Sequence, residues 1–154
     1  MNKSEVFSND DVKALSRDLL NSNSAVKLKL GGYSMWPNLL PEDIAIIEQV
    51  EPSSLKLGQV LVVEIENRWI AHRLVGKRTL DGNISLKTQG DSIIKADGPL
   101  SSVELIGVVN QVERNEEPIA LSQVVSQVYV LLCPLPQLAS RTVLKVRKSL
   151  MRFF

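Results

Sequence analysis

Short runs of β-forming residues, each bounded by turn residues, fill the middle of this chain and restrict it to a mainly β fold. The run from Val26 to Leu30 alternates apolar and charged side chains, which is typical of a strand with one buried face. Asp81-Gly82 separates two later runs and favours a tight hairpin turn with positive φ. The other runs cover residues 44–47, 60–65, 68–75, 84–88 and 105–112. We therefore predict an antiparallel, barrel-like core between residues 26 and 112.

A short helix is predicted ahead of this β core. Residues 8–11, Ser-Asn-Asp-Asp, can cap a helix that continues to about Leu20. The polar residues 21–24 then end it. Helical spacing places the apolar side chains on one side of this helix, namely Val12, Leu15, Leu19 and Leu20.

Two further helices are predicted after the β core. Residues 119–132 form an apolar run with few helix breakers, and residues 138–154 resume a helical pattern after two prolines. The last segment has an apolar face of Ala139, Val143, Val146, Leu150 and Phe153, opposite a basic face of Arg141, Lys145, Lys148 and Arg152. This pattern suits either packing on the barrel or peripheral contact with a membrane surface. The expected organisation is a domain of residues 1–118 followed by a helical segment of residues 119–154.

Composition argues against several classes of protein. The chain has 154 residues, enough for one domain with its own core, and its net charge of +1 predicts no nucleic-acid partner. One Cys and one His exclude an internal disulfide and argue against a zinc site, so no cofactor or metal is predicted. The N-terminus is too polar for a secretory signal, and no apolar run is long enough to span a bilayer. We expect a cytoplasmic protein, with any membrane contact made through residues 138–154.

Ser34 is the candidate nucleophile, within Gly32-Tyr33-Ser34-Met35-Trp36-Pro37. The preceding glycines allow the backbone to turn sharply or to approach a ligand closely. On these residues alone, a solvated serine in a turn after a strand is the simpler interpretation. A serine hydroxyl also needs a base, because it is a weak nucleophile at neutral pH.

His72 is the one histidine in the sequence and therefore the candidate base. It lies in a predicted strand where Ile70, His72 and Leu74 share a face, and a packed core histidine is the structural alternative. Asp91 and Asp97 are the candidates to orient the imidazole ring, although aspartates at such positions commonly bond nearby backbone amides in turns. Spacing alone does not choose between these two carboxylates.

Four segments, in order, resemble the sequence boxes of the type I signal peptidases. The first box of that family has Ser-Met-x-Pro, then Leu, then Gly-Asp before a strand, and residues 34–43 read Ser-Met-Trp-Pro-Asn-Leu-Leu-Pro-Glu-Asp. Residues 57–63 loosely match the following β segment, and residues 72–76 match the box that carries the base. Residues 89–97, with Asp91 and Asp97, and the Gly-Val-Val strand at 107–109 resemble the last box. Such boxes in order are a fairly specific signal.

The resemblance implies an all-β, coiled antiparallel barrel of the signal-peptidase/LexA-like type. It also implies a serine endopeptidase that cleaves a leader or signal segment from a peptide or preprotein. Most bacterial members and the LexA-like repressors use lysine as the base, whereas the endoplasmic-reticulum and archaeal branch has histidine there. By position, Ser34 is then the nucleophile and His72 the base, with Asp97 as the preferred orienting acid and Asp91 in support. The expected substrate contacts are Leu28, Leu30, Gly32, Tyr33, Met35 and Pro37.

Several departures from the family pattern modify this expectation. Gly32 stands where many members have a serine that assists the oxyanion hole, and Gln89 replaces a lysine. The N-terminal membrane anchor common in the family is not seen, which favours a dedicated leader as substrate. One alternative is a catalytically inactive, signal-peptidase-like module that binds peptides. A LexA-like self-cleaving regulator fits less well, because no Ala-Gly or Cys-Gly bond precedes Ser34.

Overall fold

The computed structural model describes residues 9–119 and 121, which form one helix and a curled antiparallel half-barrel sheet. The helix α1 spans Asn9–Asn21. The strands are β1 Val26–Lys29, β2 Ile44–Glu48, β3 Val60–Ile65, β4 Arg68–Leu80, β5 Asn83–Gln89, β6 Asp97–Ser101, β7 Leu105–Arg114 and β8 Glu117–Ile119. Two short 3-10 helices, Pro52–Ser54 and Ser102–Glu104, lie in the connections. Within the described part of the chain, no helix is both long and apolar enough to cross a bilayer.

The strand order leaves free edges on β1 and on the first half of β4, among others in the described sheet. The order is β1-β2-β7-β3-β4-β5-β6, with β8 also paired to β7, and every pairing is antiparallel. Four antiparallel pairings separate β1 from β4, so these two strands run in the same direction. Among the described residues, β1 pairs on one edge alone. The first half of β4 pairs with β3 alone, because the β4–β5 ladder begins at Arg73.

The centre of the fold is β3, which is buried on both faces. Val60 and Val62 pack into one core cluster, together with Leu20, Met35 and residues of β1, β2 and β7. Leu61 and Val63 point the other way, into a second cluster with residues of β4, β5, β6 and β7. A strand buried on both sides is a continuous apolar run rather than an alternating one, which is the sequence pattern seen at residues 60–63.

Most of the predicted elements are confirmed, with corrections at three places. The N-terminal helix and the β runs are present, and the Asp81-Gly82 turn has positive φ at both residues. The strand predicted to end at residue 75 continues to Leu80, and β6 was not predicted. The predicted helix at residues 119–132 is wrong at its start, because Ile119 ends β8 and pairs with Val112. The rest of that helix, and the predicted helix at 138–154, lie outside the described residues.

The orientation of α1 differs from what its apolar pattern predicted. Ser16 and Leu20 are buried, whereas Val12, Leu15 and Leu19 are 47%, 59% and 42% exposed. Polar contacts account for this orientation, since two basic side chains on the inward side reach the hairpin of β3 and β4. Lys13 Nζ donates to the Asn67 carbonyl at 2.5 Å, and Arg17 forms an ion pair with Glu64 and lies 5.5 Å from the Trp69 ring centre.

A buried carboxylate secures the connection between the Ser34 turn and β2. The Asp43 side chain is 2% exposed and accepts two hydrogen bonds of 2.8 Å from the Arg114 guanidinium and one from Leu40 N–H. Burial by itself would raise the pKa of the Asp43 carboxyl. The hydrogen bonds and the charge of Arg114 together outweigh burial and hold that pKa below its ordinary value.

Asp43→Asn is expected to lower the free energy of unfolding at pH 7 by about 1–3 kcal/mol, because it breaks a buried charged hydrogen bond. The carboxyl pKa is depressed in the folded state, so its contribution is present above the unfolded-state pKa of about 4. It is lost as the pH falls through the folded-state pKa. Urea denaturation of wild type and variant, from pH 7 downwards, should show the difference shrinking. A difference independent of pH would contradict this assignment.

Candidate functional site

Ser34 lies in a series of tight turns between β1 and β2. Gly32 has φ of +77°, a left-handed conformation that a side chain would strain, and Trp36 N–H donates to the Tyr33 carbonyl at 3.1 Å. The Ser34 carbonyl accepts from Ser92 N–H at 2.9 Å and from Ser92 Oγ at 3.1 Å. The serine is therefore held by the loop that follows β5 as well as by its own turn.

His72 lies on β4 and is 4% exposed, and its imidazole ring is held at one of its two nitrogens. Its Nδ1 forms a hydrogen bond with Asp97 Oδ2, and the same oxygen accepts from Thr88 Oγ1 at 3.1 Å. Asp97 is the first residue of β6, and it lies directly opposite Thr88 in the β5–β6 ladder. The pairing of these two strands thus brings the carboxylate to the imidazole.

Gly90 brings Ser34 and His72 together. A Cβ placed on Gly90 would lie 2.9 Å from His72 Nε2, 3.1 Å from Ser34 Cβ and 2.7 Å from the Ser34 carbonyl oxygen. Any side chain at this position would therefore collide with both residues. Because Gly90 has no side chain, the serine and the imidazole can both approach this position in the loop.

The second nitrogen of the His72 ring is available for chemistry. His72 Nε2 is buried and has no hydrogen-bond partner among the described residues, including Ser34 Oγ. A buried polar atom without a partner costs free energy, so such an atom points to a bound group or to a catalytic role. A ring with a carboxylate on Nδ1 and an unpartnered Nε2 near a serine can accept a proton from that serine when the hydroxyl comes within hydrogen-bond distance.

Asp91 does not lie against His72. Its carboxylate receives two hydrogen bonds of 2.7 Å from the Arg73 guanidinium and one of 2.7 Å from Asn38 Nδ2. The Arg73 and Asp91 side chains are 3% and 2% exposed, and Arg73 Nη1 also donates to the Gly58 carbonyl at 2.6 Å. Asp91 therefore joins β4 to the Ser34 turn, whereas Asp97 contacts the ring.

A groove of about 800 Å³ runs beside Ser34, between the unpaired edges of β1 and β4. One wall contains Leu28, Leu30 and Gly32, and the other contains residues 68–71. Because β1 and β4 run in the same direction, an extended peptide inserted here would pair in the same sense with both. It would complete the ring of strands that the half-barrel leaves open.

The structure separates the predicted substrate contacts into two groups. Leu28, Leu30, Gly32 and Met35 line the groove, whereas Tyr33 and Pro37 are not among the described residues that line it. Tyr33 is 42% exposed instead.

Four polar residues at the site were not predicted from the sequence, namely Asn38, Arg73, Thr88 and Ser92. Strand alternation could have indicated Thr88. Thr88 and Gly90 are two residues apart, so the Thr88 side chain lies on the face of the chain where a side chain at position 90 would lie. Ser92 follows the Gly90-Asp91 pair directly, but its contact with the Ser34 carbonyl depends on how the loop folds. Arg73 is adjacent to His72, and its position in a strand gave no indication that it would be buried.

The sequence matches no protein-family model and no curated protein.

The two aspartates are expected to differ sharply in their effect on stability. Asp91→Asn leaves the buried Arg73 charge without its carboxylate and should cost about 3–5 kcal/mol of unfolding free energy. Asp97→Asn keeps a hydrogen-bonding side chain at a site that is 25% exposed, and should cost about 1 kcal/mol or less. Urea denaturation of both variants at pH 7 tests this, and equal losses would show that the two carboxylates have the same structural role.

Proposed function

We propose that this protein is a serine endopeptidase of the signal-peptidase type, which cleaves a leader or signal segment from a peptide or protein. The observation that carries the proposal is the environment of His72. Its Nδ1 is bonded to Asp97, its Nε2 has no hydrogen-bond partner among the described residues, and both Nε2 and Ser34 Cβ lie beside Gly90. This arrangement has the order of groups found in a Ser-His-Asp triad. We also propose that the half-barrel belongs to the signal-peptidase/LexA-like fold, which the order of the sequence boxes supports.

In the proposed mechanism, His72 Nε2 removes the proton from Ser34 Oγ as that oxygen attacks the peptide carbonyl. Asp97 holds the imidazole in the tautomer that leaves Nε2 free, and it stabilises the imidazolium that forms. The imidazolium then gives its proton to the departing amine, leaving an acyl-enzyme on Ser34. Water, activated by the same imidazole, attacks this ester and releases the leader carboxylate.

The tetrahedral intermediate needs donors for its oxyanion, and the Ser34 backbone N–H is the proposed one. Each donor of this kind typically lowers the barrier by about 3–4 kcal/mol. Gly32 contributes no hydroxyl here, so any second donor has to come from another group. Gly32, two residues before Ser34, has positive φ and so turns the backbone that leads to the serine.

The substrate is proposed to bind as an extended strand between β1 and the first half of β4. Main-chain hydrogen bonds to both edges would supply affinity without regard to sequence, and side-chain pockets would supply selectivity. Leu28, Leu30 and Met35 give the groove an apolar surface close to Ser34. Such a surface suits small or apolar residues on the leader side of the cut.

Ser34→Ala and His72→Ala are each expected to reduce cleavage of a peptide substrate by at least about a thousandfold, because each removes a group that acts in every turnover. Asp97→Asn should lower the rate roughly 10³–10⁴-fold by favouring the wrong ring tautomer. Cleavage of candidate leader peptides, followed by mass spectrometry, measures these rates. Cleavage by Ser34→Ala at the wild-type rate would exclude Ser34 as nucleophile.

A peptide-binding module without catalytic activity is the second candidate function. Two features favour it: Ser34 Oγ does not bond His72 Nε2, and Gly32 stands where many members of the resembled family have a serine that assists the oxyanion hole. A fluorophosphonate probe distinguishes the two candidates, because it labels only an activated serine. Stoichiometric labelling at Ser34, lost in His72→Ala, would support the peptidase, whereas absent labelling together with peptide binding would support the module.

Thr88 is expected to act by positioning Asp97. Thr88→Val removes one hydrogen bond, worth about 1 kcal/mol, and should lower kcat about fivefold with KM unchanged. Thr88→Ser keeps the hydroxyl and should restore most of the rate. If Thr88→Ser is as slow as Thr88→Val, the effect comes from packing at this fully buried position rather than from the hydrogen bond.

A further inference from the structure

The outward face of α1 carries three apolar side chains with large exposed areas. We call Val12, Leu15 and Leu19 the α1 stripe; they follow one another at helical spacing and are 47%, 59% and 42% exposed. The orientation of the helix is set on its inward side, where Leu20 is buried and Lys13 contacts the carbonyl of Asn67. The α1 stripe therefore faces outward because of defined contacts, and a row of exposed apolar side chains marks an interaction surface.

The α1 stripe is continuous with the groove. Val12 belongs to both, and Asp10, Lys13 and Ser16 of the same helix also line the groove. Lys13 binds Asn67, which precedes β4, so α1 lies at the end of the groove away from Ser34. His72 is four residues along β4 from Arg68, a distance of roughly 13 Å at about 3.3 Å per residue. In a peptide bound parallel to β1 and β4, the leader side extends from Ser34 toward Arg68 and reaches α1 about four residues before the cut.

The charge beside the α1 stripe is acidic. Asp18 lies three residues after Leu15, which places it next to that side chain on the helix surface, and it is exposed. The basic residues Lys13 and Arg17 are on the inward side, in contact with Asn67 and Glu64. The surface is therefore apolar with a negative border, which is complementary to an apolar segment carrying Lys or Arg.

We propose that the α1 stripe is a second binding site for the substrate, receiving the part of the leader that continues beyond the groove. This inference rests on the proposed peptidase function and adds a requirement on the substrate. The groove takes about four residues in extended form, and an apolar segment with Lys or Arg then packs on Val12, Leu15 and Leu19. Recognition is thus divided between a short extended sequence and a more distant apolar, basic one.

Two peptides with the same cleavage site test this proposal. The short one covers only the groove, and the long one adds an apolar, lysine-containing segment on the leader side. Wild type is expected to show a KM about tenfold lower for the long peptide. Leu15→Glu should remove this advantage without changing kcat/KM for the short peptide. Leu80→Glu is the matched control, because Leu80 is 74% exposed at the far hairpin of β4 and β5, and should leave both values unchanged.

Charge reversal gives a second readout. Asp18→Lys should raise KM for the lysine-containing long peptide about threefold or more, and a long peptide with glutamates in place of lysines should recover that loss. Equal KM values for the long and short peptides with wild type would overturn the proposal. So would a lower melting temperature or a change from dimer to monomer in Leu15→Glu, since the α1 stripe would then be covered by the protein itself or by a second copy. Loss of vesicle binding in Leu15→Glu, with KM for the long peptide unchanged, would assign the stripe to a membrane instead.

The failure of this proposal is distinguishable from the failure of the proposed function. If wild type cleaves the short peptide and Ser34→Ala does not, the peptidase assignment stands whatever the long peptide shows. If neither peptide is cleaved by wild type, direct binding of the two peptides by fluorescence anisotropy still measures the contribution of the α1 stripe. An advantage for the long peptide that Leu15→Glu abolishes would support the second binding site, and its absence would exclude it.

Discussion

The buried ion pair of Arg73 and Asp91 joins the three segments on which the rest of the site depends. Arg73 follows His72 on β4, Asp91 follows Gly90 in the loop after β5, and Asn38 belongs to the Ser34 turn. An ion pair with both side chains almost fully buried is weak evidence for stability, since removing two charges from water costs nearly what their attraction returns. The contribution of this ion pair is geometric, because two parallel hydrogen bonds between a guanidinium and a carboxylate allow little rotation of either group. The loop is thereby held where Ser92 binds the Ser34 carbonyl.

The half-open sheet determines the shape of the groove beside Ser34. A closed barrel would have no free edges, and a flat sheet would place its edges far apart. Here the curled sheet brings β1 and the first half of β4 to opposite sides of one groove, with Ser34 beside it and α1 at its far end. The orientation of α1 depends on two basic residues that bind the hairpin of β3 and β4. These contacts leave Val12, Leu15 and Leu19 largely exposed, where an apolar pattern alone would have buried them.

The sequence predicted the elements of the fold better than their arrangement. Residues 26–30 alternate apolar and charged side chains and residues 60–65 form a β-rich apolar run, and both are strands close to the predicted bounds. Strand β6, with the sequence Asp-Gly-Pro-Leu-Ser, was missed because glycine and proline are poor strand residues and this strand is held by pairing with β5. That omission also concealed the contact between Asp97 and Thr88. Alternation could place Thr88 on the face of Gly90, but it could not show which residue lay opposite.

The sequence by itself determined which groups are available: one histidine, a serine between a glycine pair and a Met-Trp-Pro segment, and two aspartates six residues apart. Only the tertiary structure decided between the aspartates, by placing Asp97 on the imidazole and Asp91 on Arg73. The reason is that the choice depends on strand pairing and loop closure between residues far apart in the chain, whereas spacing in the sequence reports only local geometry. Ser34 and His72 are brought together in the same way, by a glycine in a third segment whose missing side chain leaves space for both.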